Sequence, residues 1–240
     1  TDGPFDSINV VFWDTWREEY VVYTRGVAGT GTFKKGVRWI RRATSPDFRT
    51  WSELESIDTG ETPDEHFYTN GTIPYQRAPG VYLSFPRRFL PDRRPREDSP
   101  WPGTSDSIFM SSRDGIHWDR RFMEAFLRPG PDPDNWTDRN MYIGVGVVPT
   151  GPAEMSLYFI EHYRRPSVRL RRATLRTDGF ASVNAPYSGG ELVTRPLVFE
   201  GAKLVLNYST SAAGRILVEM QDVSGRPIDG YRLSECTEMY

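Results

Sequence analysis

The chain has 240 residues, with 30 Lys and Arg against 32 Asp and Glu, so its formal net charge is -2. This balance argues against a nucleic-acid binder that relies on bulk positive charge. Hydrophobic residues make up 38% and charged residues 26%, which is typical of a folded soluble chain rather than a disordered one. No apolar run approaches the roughly 18 residues of a membrane span, so neither nucleic acid nor a membrane is a predicted partner.

The composition also favours strands and turns over long helices. Aromatic residues make up 13% of the chain, which also holds 21 Gly and 19 Pro. Cys236 is the single cysteine, which excludes an internal disulfide and a zinc site built on cysteines, and we expect it to be an ordinary strand residue. No spacing of His, Asp and Glu indicates a metal site, so neither a metal nor a cofactor is predicted, and the compartment stays open.

Three related turns recur along the chain, centred on Asp47, Asp114 and Asp178. The first two share a Ser-x-Asp-x3-Trp spacing, at 45–51 and 112–118. The aspartates are 67 and 64 residues apart, as read from their numbers. Because an Asp side chain accepts hydrogen bonds from backbone N–H groups further along a turn, we expect these aspartates to be structural rather than catalytic.

Each Asp turn ends a series of three short segments rich in Val, Ile, Tyr, Phe and Trp, which predicts strands. The predicted strands are 8–13, 20–25 and 37–43, then 68–75, 81–86 and 107–111, then 142–148, 155–162 and 168–174. Repeated units of this kind are typical of β-propeller blades. The interval exceeds the roughly 40–50 residues of compact propeller repeats. We assign the excess to long loops, such as 90–102 and 128–138, where sites tend to be built.

The pattern changes after Asn184. Segments 191–199, 203–208, 215–221 and 231–233 alternate more clearly and are separated by turns that contain glycine, which predicts a β-meander. Four strands form only part of a normal β-sandwich. The sequence therefore predicts an all-β chain with about three propeller blades in residues 1–186 and a partial β-sandwich module in residues 187–240.

Five segments together resemble a known group of proteins: 6–14, 111–118, 175–180, 191–197 and 225–231. They are similar to the glycosidase-like five-bladed β-propeller proteins related to glycoside hydrolase families 32, 43 and 68. The likeness is greatest to a bacterial group labelled family 32 N-terminal-like, which carries a β-sandwich after the propeller. The resemblance implies a carbohydrate ligand at a propeller channel. It also implies five blades where we find three, so we expect a partial chain, completed by missing segments or by an oligomer.

Glycoside hydrolysis requires two carboxyl groups that flank the scissile bond. Asp6, Glu65 and Asp138 come before or at the start of predicted inner strands and are the candidate catalytic residues. The resemblance favours Asp6 as the aspartate beside the sugar, and the alternative is a strand-capping role. Glu65 is the candidate proton donor, although a surface loop carboxylate is the alternative. The family's Glu-Cys-Pro donor motif is absent.

Further residues near these strand starts are candidates for substrate binding. An internal ion pair is the alternative for Asp138 and Arg139, an ordinary hydrogen bond for His66, and a solvated loop for Arg87 with Arg88. Arg87 would otherwise recognise an acidic sugar through paired N–H donors. The candidate substrate-binding residues are Arg139, Tyr68, Asn70, His66, Trp136 and Arg87.

Three functions follow from these residues. The first is a glycoside hydrolase-like enzyme that uses paired carboxylates on an oligosaccharide. The second is a non-catalytic carbohydrate-binding or assembly module. The third is a sialidase-like enzyme, which requires three arginines around one carboxylate and a tyrosine nucleophile, with Arg87, Arg88 and Arg139 as the arginines to inspect.

Overall fold

The computed structural model describes residues 5, 7–28 and 36–240. The chain divides into two compact units, with the boundary between Phe180 and Ala181. Asp6, one of the three candidate catalytic residues, lies outside the described residues.

The first antiparallel sheet is formed by the N-terminal part of the first unit. Its strands are β1 (Val10–Asp14), β2 (Glu19–Ala28), β3 (Val37–Ser45) and β4 (Glu55–Ser56), in that order across the sheet. β-Branched and aromatic residues dominate β1 and β2, as suits a pleated surface with one buried face. The three strands predicted at 8–13, 20–25 and 37–43 are confirmed.

Seven short strands follow in the middle of the chain. They form two antiparallel sheets, one in the order β5-β8-β9 and one in the order β11-β10-β7-β6. The strands are β5 (His66–Phe67), β6 (Ile73–Pro74), β7 (Tyr82–Ser84), β8 (Arg87–Leu90), β9 (Thr104–Ser107), β10 (Met110–Ser112) and β11 (Trp118–Asp119).

Two predicted strands and one alternative interpretation in this middle region were wrong. The strand predicted at 107–111 is divided between the end of β9 and the start of β10. The strand predicted at 68–75 is interrupted, because Gly71 adopts a positive φ of 57° between β5 and β6. Arg87 and Arg88 do not lie in a solvated loop but begin β8, where Arg87 is buried. The middle region forms a second sheet, β5-β8-β9, because β8 and β9 pair with each other across the loop between them.

The last sheet of the first unit is centred on one long strand. Its strands are β12 (Tyr142–Ile143), β13 (Val148–Gly151), β14 (Glu154–Glu161) and β15 (Arg169–Arg176). β14 pairs with β15 along its whole length and with β12 and β13 along its other edge. The strands predicted at 155–162 and 168–174 are confirmed, while the one predicted at 142–148 is two separate strands.

Two hydrophobic clusters fill the spaces between these sheets. Side chains of β2, β3, β5, β7, β10 and β11 contribute to one, and side chains of β7, β12 and β14 to the other. The first contains Val21, Tyr23, Trp39, Ile40, Ile57, Phe67, Tyr82, Ile108, Met110 and Trp118. The second contains Tyr75, Leu83, Phe85, Met141, Ile143, Val147, Met155, Leu157 and Phe159. Packing of one sheet on the next is how blade-like units bury their apolar faces.

Two of the Asp turns have the same geometry. The carboxylate of Asp47 accepts hydrogen bonds from the backbone N–H groups two and three residues on, at 2.8 and 2.7 Å. Asp114 does the same at 2.9 and 2.8 Å. These N–H donors lower the pKa of Asp47 to about 2. Asp178 differs, since its carboxylate binds the Tyr75 hydroxyl and the Arg77 guanidinium.

We expect Gly115, in the second Asp turn, to be sensitive to substitution. It has a φ of 83°, and a Cβ there would lie 2.6 Å from the Tyr23 hydroxyl. Gly60 has a similar φ of 66° but no atom within 4 Å of its Cβ position. Gly60→Ala should therefore cost about 1 kcal/mol of unfolding free energy, the backbone strain alone. Gly115→Ala should cost about 3 kcal/mol, because overpacking is added to that strain.

Urea unfolding of the two variants measures this difference directly. Equal losses for Gly115→Ala and Gly60→Ala would show that the second Asp turn is not packed against Tyr23 as described.

Residues 181–240 form no regular strands. The meander predicted at 191–199, 203–208, 215–221 and 231–233 is not formed. Isolated bridges join Ile216 to Met239 and Gln221 to Pro227, and the backbone N–H of Met220 donates to the carbonyl of Tyr231 at 3.0 Å. Apolar residues such as Val198 remain exposed. A sheet forms stably when another layer covers its apolar face, and no such layer lies within these residues.

The all-β class is confirmed, because the helical elements of the described residues are two short 3-10 turns, Pro133–Asn135 and Leu233–Glu235. All four sheets are antiparallel, and none of them closes into a barrel within the described ranges. This arrangement is consistent with part of a propeller and sandwich chain. None of the helices in the described part of the chain has the length and apolarity needed to cross a membrane.

Candidate functional site

The ring of Tyr68 lies where three sheets meet. Tyr68 directly follows β5, and its backbone N–H donates to the carbonyl of Arg87 in β8 at 2.8 Å. Guanidinium groups from separate elements lie over this ring, at centroid distances of 4.6 Å for Arg25, 4.8 Å for Arg38, 4.4 Å for Arg87 and 5.9 Å for Arg139. We call these four side chains the arginine cluster.

The strand pairing explains why the cluster forms. Arg25 of β2 and Arg38 of β3 lie on neighbouring strands of the first sheet, while Arg87 begins β8 and Arg139 precedes β12. Each guanidinium attracts the negative face of the aromatic ring. The tyrosine therefore offsets part of the repulsion between like charges that converge on one place.

Arg87 is the most unusual member of the cluster. It is 4% exposed, and its Nε has no hydrogen-bond partner among the described residues. Burial, reinforced by the charge of Arg139, lowers the pKa of Arg87 to about 10. The rings of Tyr68 and Tyr142 lie 4.4 and 5.3 Å from its guanidinium carbon. A buried cation without a paired anion is costly, and such groups are concentrated at functional sites.

The neighbouring Arg88 shows what a compensated arginine looks like in the same strand. Its guanidinium donates two hydrogen bonds to Asp106, at 2.8 and 2.6 Å, and one to Glu65 at 2.7 Å. These partners raise the pKa of Arg88. Arg88 is thus part of an internal ion-pair network rather than of the arginine cluster.

Glu65, the candidate proton donor, belongs to that network. One of its carboxylate oxygens accepts from Arg88, and the other accepts from Arg120 at 2.7 Å. The side chain of Arg120 is 0% exposed. Both oxygens of Glu65 are therefore held by guanidinium groups, an arrangement that suits a structural carboxylate better than a group that delivers a proton.

Asp138 lies beside the arginine cluster and is buried. Its two oxygens make ion-pair contacts of 3.4 Å with Arg139 and 3.5 Å with Arg164. Neither contact is a hydrogen bond: Nε of Arg139, in the first, and Oδ1 of Asp138, in the second, have no hydrogen-bond partner among the described residues. The internal ion pair considered as the alternative for Asp138 and Arg139 is thus present. Its contact is long, and the carboxylate of Asp138 is shared between the guanidinium groups of Arg139 and Arg164.

His66 and Asn70 form hydrogen bonds with backbone groups near Tyr68. Nδ1 of His66 accepts from the backbone N–H of Arg38 at 3.2 Å, and burial followed by the charge of Arg38 lowers the His66 pKa. Asn70 is buried, with its amide donating to the carbonyl groups of Ile8 and Tyr23 at 2.9 and 3.3 Å. Asn70 therefore fixes the backbone behind Tyr68 rather than presenting its amide to a ligand.

Trp136 lies in a different groove. The groove has a volume of about 370 Å³, and its lining residues are Pro95, Arg96, Pro131, Pro133 and Trp136. None of these belongs to the arginine cluster. Among the described residues no group of three His, Cys, Asp or Glu side chains comes together as a metal site.

Three of the residues predicted from the sequence, Tyr68, Arg87 and Arg139, come together in the structure. Arg25 and Arg38 were not predicted. A single charge within a strand that is otherwise mostly apolar or aromatic, as in the YVVYTRGV segment of β2, is the signal that could have found Arg25, because arginine is rarely buried in a strand unless it is paired. No such signal singles out Arg38, since β3 holds three arginines.

Comparisons with known proteins give distant structural likenesses. No protein family and no curated protein matches the sequence. Solved structures are similar at 13% identity and a TM-score of 0.45. One is an N-acetylgalactosamine deacetylase from F. plautii in complex with blood group B trisaccharide, covering 71% of this chain and 50% of that one.

Two others are a glycoside hydrolase and a BT0996 RGII complex. Each covers 75% of this chain and 48% of its own. The protein therefore spans about half the length of the solved structures it matches, and its resemblance to glycoside hydrolase families 32, 43 and 68 stays a prediction.

Proposed function

We propose that this protein binds an acidic carbohydrate beside Tyr68, with the carboxylate or sulfate group of one sugar against Arg87. The observation that carries this proposal is the buried guanidinium of Arg87, which forms no ion pair within the described part of the chain and whose Nε has no hydrogen-bond partner there; the charge of Asp138 acts on it only from beyond ion-pair distance. Arginine binds carboxylate and sulfate through paired N–H donors in a plane. A negatively charged ligand would therefore supply the ion-pair partner that Arg87 lacks among the described residues.

Two further features support a sugar as the bearer of that charge. The Asp turns and the strand series resemble those of glycosidase-like propellers, which implies a saccharide ligand. The cluster is also surrounded by aromatic rings, such as Tyr142 and Tyr163, which can pack against the apolar faces of sugars.

Titration calorimetry with the full chain tests the proposal. The acidic probes are N-acetylneuraminate, glucuronate, galacturonate and galactose 6-sulfate, and the neutral probes are glucose and galactose. At least one acid should bind about 10-fold or more tightly than the neutral sugars, since a hydrogen bond to a charged group contributes about 1.5–3 kcal/mol.

The control for this titration is Arg121→Gln, which removes an exposed arginine and should leave binding unchanged. If every acidic probe binds no better than glucose and galactose, the proposal is wrong.

Hydrolysis at the same site is the finer part of the proposal. Because Glu65 is held by Arg88 and Arg120, Asp138 is the described candidate carboxylate that lies at the cluster, and a carboxylate pair would require Asp6.

The meeting of several arginines on one tyrosine favours the sialidase-like alternative, with Tyr68 as the nucleophile. Tyr68→Phe should then abolish release of methylumbelliferone from its N-acetylneuraminide or glucuronide while binding is retained. Unchanged release by this variant would exclude the tyrosine mechanism.

A further inference from the structure

A row of alternating rings and guanidinium groups runs outward from Tyr68. Arg139 lies 5.9 Å from the ring centre of Tyr68 and 5.7 Å from that of Tyr163. Arg164 lies 5.5 Å from the ring centre of Tyr163 and 4.8 Å from that of Trp101. We call these five side chains the outer ladder. Guanidinium and aromatic groups stacked in this way form a continuous surface for a ligand that is both charged and ring-shaped.

Trp101, at the end of the outer ladder, is exposed to solvent in a loop with hydrogen bonds to its backbone. It is 51% exposed. The hydroxyl of Ser99 donates to the Trp101 carbonyl at 2.9 Å, and Arg94 donates to the Ser99 carbonyl at 3.1 Å. These bonds fix the backbone that carries Trp101, and an exposed indole on such a backbone is suited to stacking on a sugar face.

Arg164 is held in a conformation that non-glycine residues rarely adopt. Its φ is 67°, in the left-handed region. The turn around it is closed by a hydrogen bond of 2.9 Å from the backbone N–H of Arg165 to the carbonyl of His162. Strain of this kind is often retained where a side chain must be aimed at a ligand, and here it directs the guanidinium between Tyr163 and Trp101.

The charge along this path is not balanced within the described residues. Arg139 and Arg164 share the single carboxylate of Asp138, at 3.4 and 3.5 Å. The Nε of the more deeply buried Arg87 has no hydrogen-bond partner among the described residues, and Asp138 is again the carboxylate whose charge acts on it. Three guanidinium groups thus share one carboxylate. The excess of positive charge extends from the buried Arg87 to Arg164, beside the exposed Trp101.

From this arrangement we infer that the ligand is an oligosaccharide with at least two acidic units. One unit would lie against Arg87, and a second would lie in an outer subsite made by Arg164 and Trp101. The inference rests on the proposed function and deepens it, because it assigns a polyanionic glycan rather than a single acidic sugar. Two anionic groups match the two places where guanidinium charge exceeds carboxylate charge.

The test compares monosaccharides with their linear trimers. The probes are galacturonate and its trimer, and N-acetylneuraminate and its trimer, titrated calorimetrically against the wild type, Trp101→Ala and Arg164→Gln. In at least one pair the trimer should bind about 10-fold or more tightly than the monosaccharide, the gain expected from one more hydrogen-bonded charge pair. Both variants should lose this gain and keep the affinity for the monosaccharide.

Matched controls are Trp16→Ala and Arg121→Gln, which remove another exposed tryptophan and an exposed arginine outside the outer ladder. The inference is overturned if the trimers gain nothing over the monosaccharides, or if the gain survives in Trp101→Ala and Arg164→Gln. Failure of these four probes, and also of glucuronate and galactose 6-sulfate, to bind would instead contradict the proposed function itself. Circular dichroism on each variant establishes that it is folded.

Discussion

Arg87→Met should strongly weaken binding of the acidic monosaccharide and at the same time stabilise the protein. The affinity should fall about 100-fold or more, because a charged hydrogen-bonding group in a desolvated site is lost. The free energy of unfolding should rise by about 2 kcal/mol, because replacing a buried ionic group by an apolar one of similar length removes its desolvation cost. Calorimetric titration and urea unfolding measure the two effects.

Arg88→Met is the matched control in the same strand. Its arginine pairs with Glu65 and Asp106, so its removal leaves Asp106 without a cation and Glu65 with Arg120 alone, and should cost about 3 kcal/mol of unfolding free energy. Opposite signs for the two neighbouring variants would separate a cation kept for a ligand from a cation kept for the fold. A loss of stability in Arg87→Met as large as that in Arg88→Met would show that Arg87 is structural.

The second large effect is expected at Glu65. Glu65→Gln should destabilise the protein by about 3 kcal/mol, because it leaves the buried Arg120 without its carboxylate and removes one of the two partners of Arg88. A proton donor at an active site would behave differently, with turnover lost and stability nearly unchanged. Urea unfolding distinguishes the two roles.

Glu124→Gln provides the comparison for a surface ion pair. The Glu124 side chain is 82% exposed and pairs with Arg128 at 2.6 Å, so its neutralisation should cost no more than about 0.5 kcal/mol. If Glu65→Gln unfolds at the same urea concentration as Glu124→Gln, the ion-pair network around Arg88 does not stabilise the fold as described.

The parts of the fold that depend on local pattern were predictable from the sequence. The first two strands of the first sheet are rich in β-branched and aromatic residues, and the Ser-x-Asp-x3-Trp spacing defines two turns with the same hydrogen bonds. The strand predicted at 68–75 failed because a left-handed Gly71 outweighed the β propensity of its neighbours. The sandwich strands failed because alternation alone does not form a sheet without a layer to cover it.

The candidate site was predictable only in part, for a related reason. Tyr68, Arg87 and Arg139 were found because they adjoin predicted inner strands or long loops. The contribution of Arg25 and Arg38 depends on how the first sheet packs against the others, which no local pattern encodes. The opposite fates of Arg87 and Arg88, adjacent and identical in type, are decided by which side of β8 faces Glu65 and Asp106.

A crystal structure with a bound acidic monosaccharide, taken from the tightest-binding probe of the titration, tests the role of Arg87 most directly. The proposed function predicts that the carboxylate or sulfate oxygens lie about 2.7–2.9 Å from the terminal guanidinium nitrogens of Arg87, with the sugar beside Tyr68. A sugar whose acidic group points to solvent, or one bound in the groove of Trp136, would contradict it.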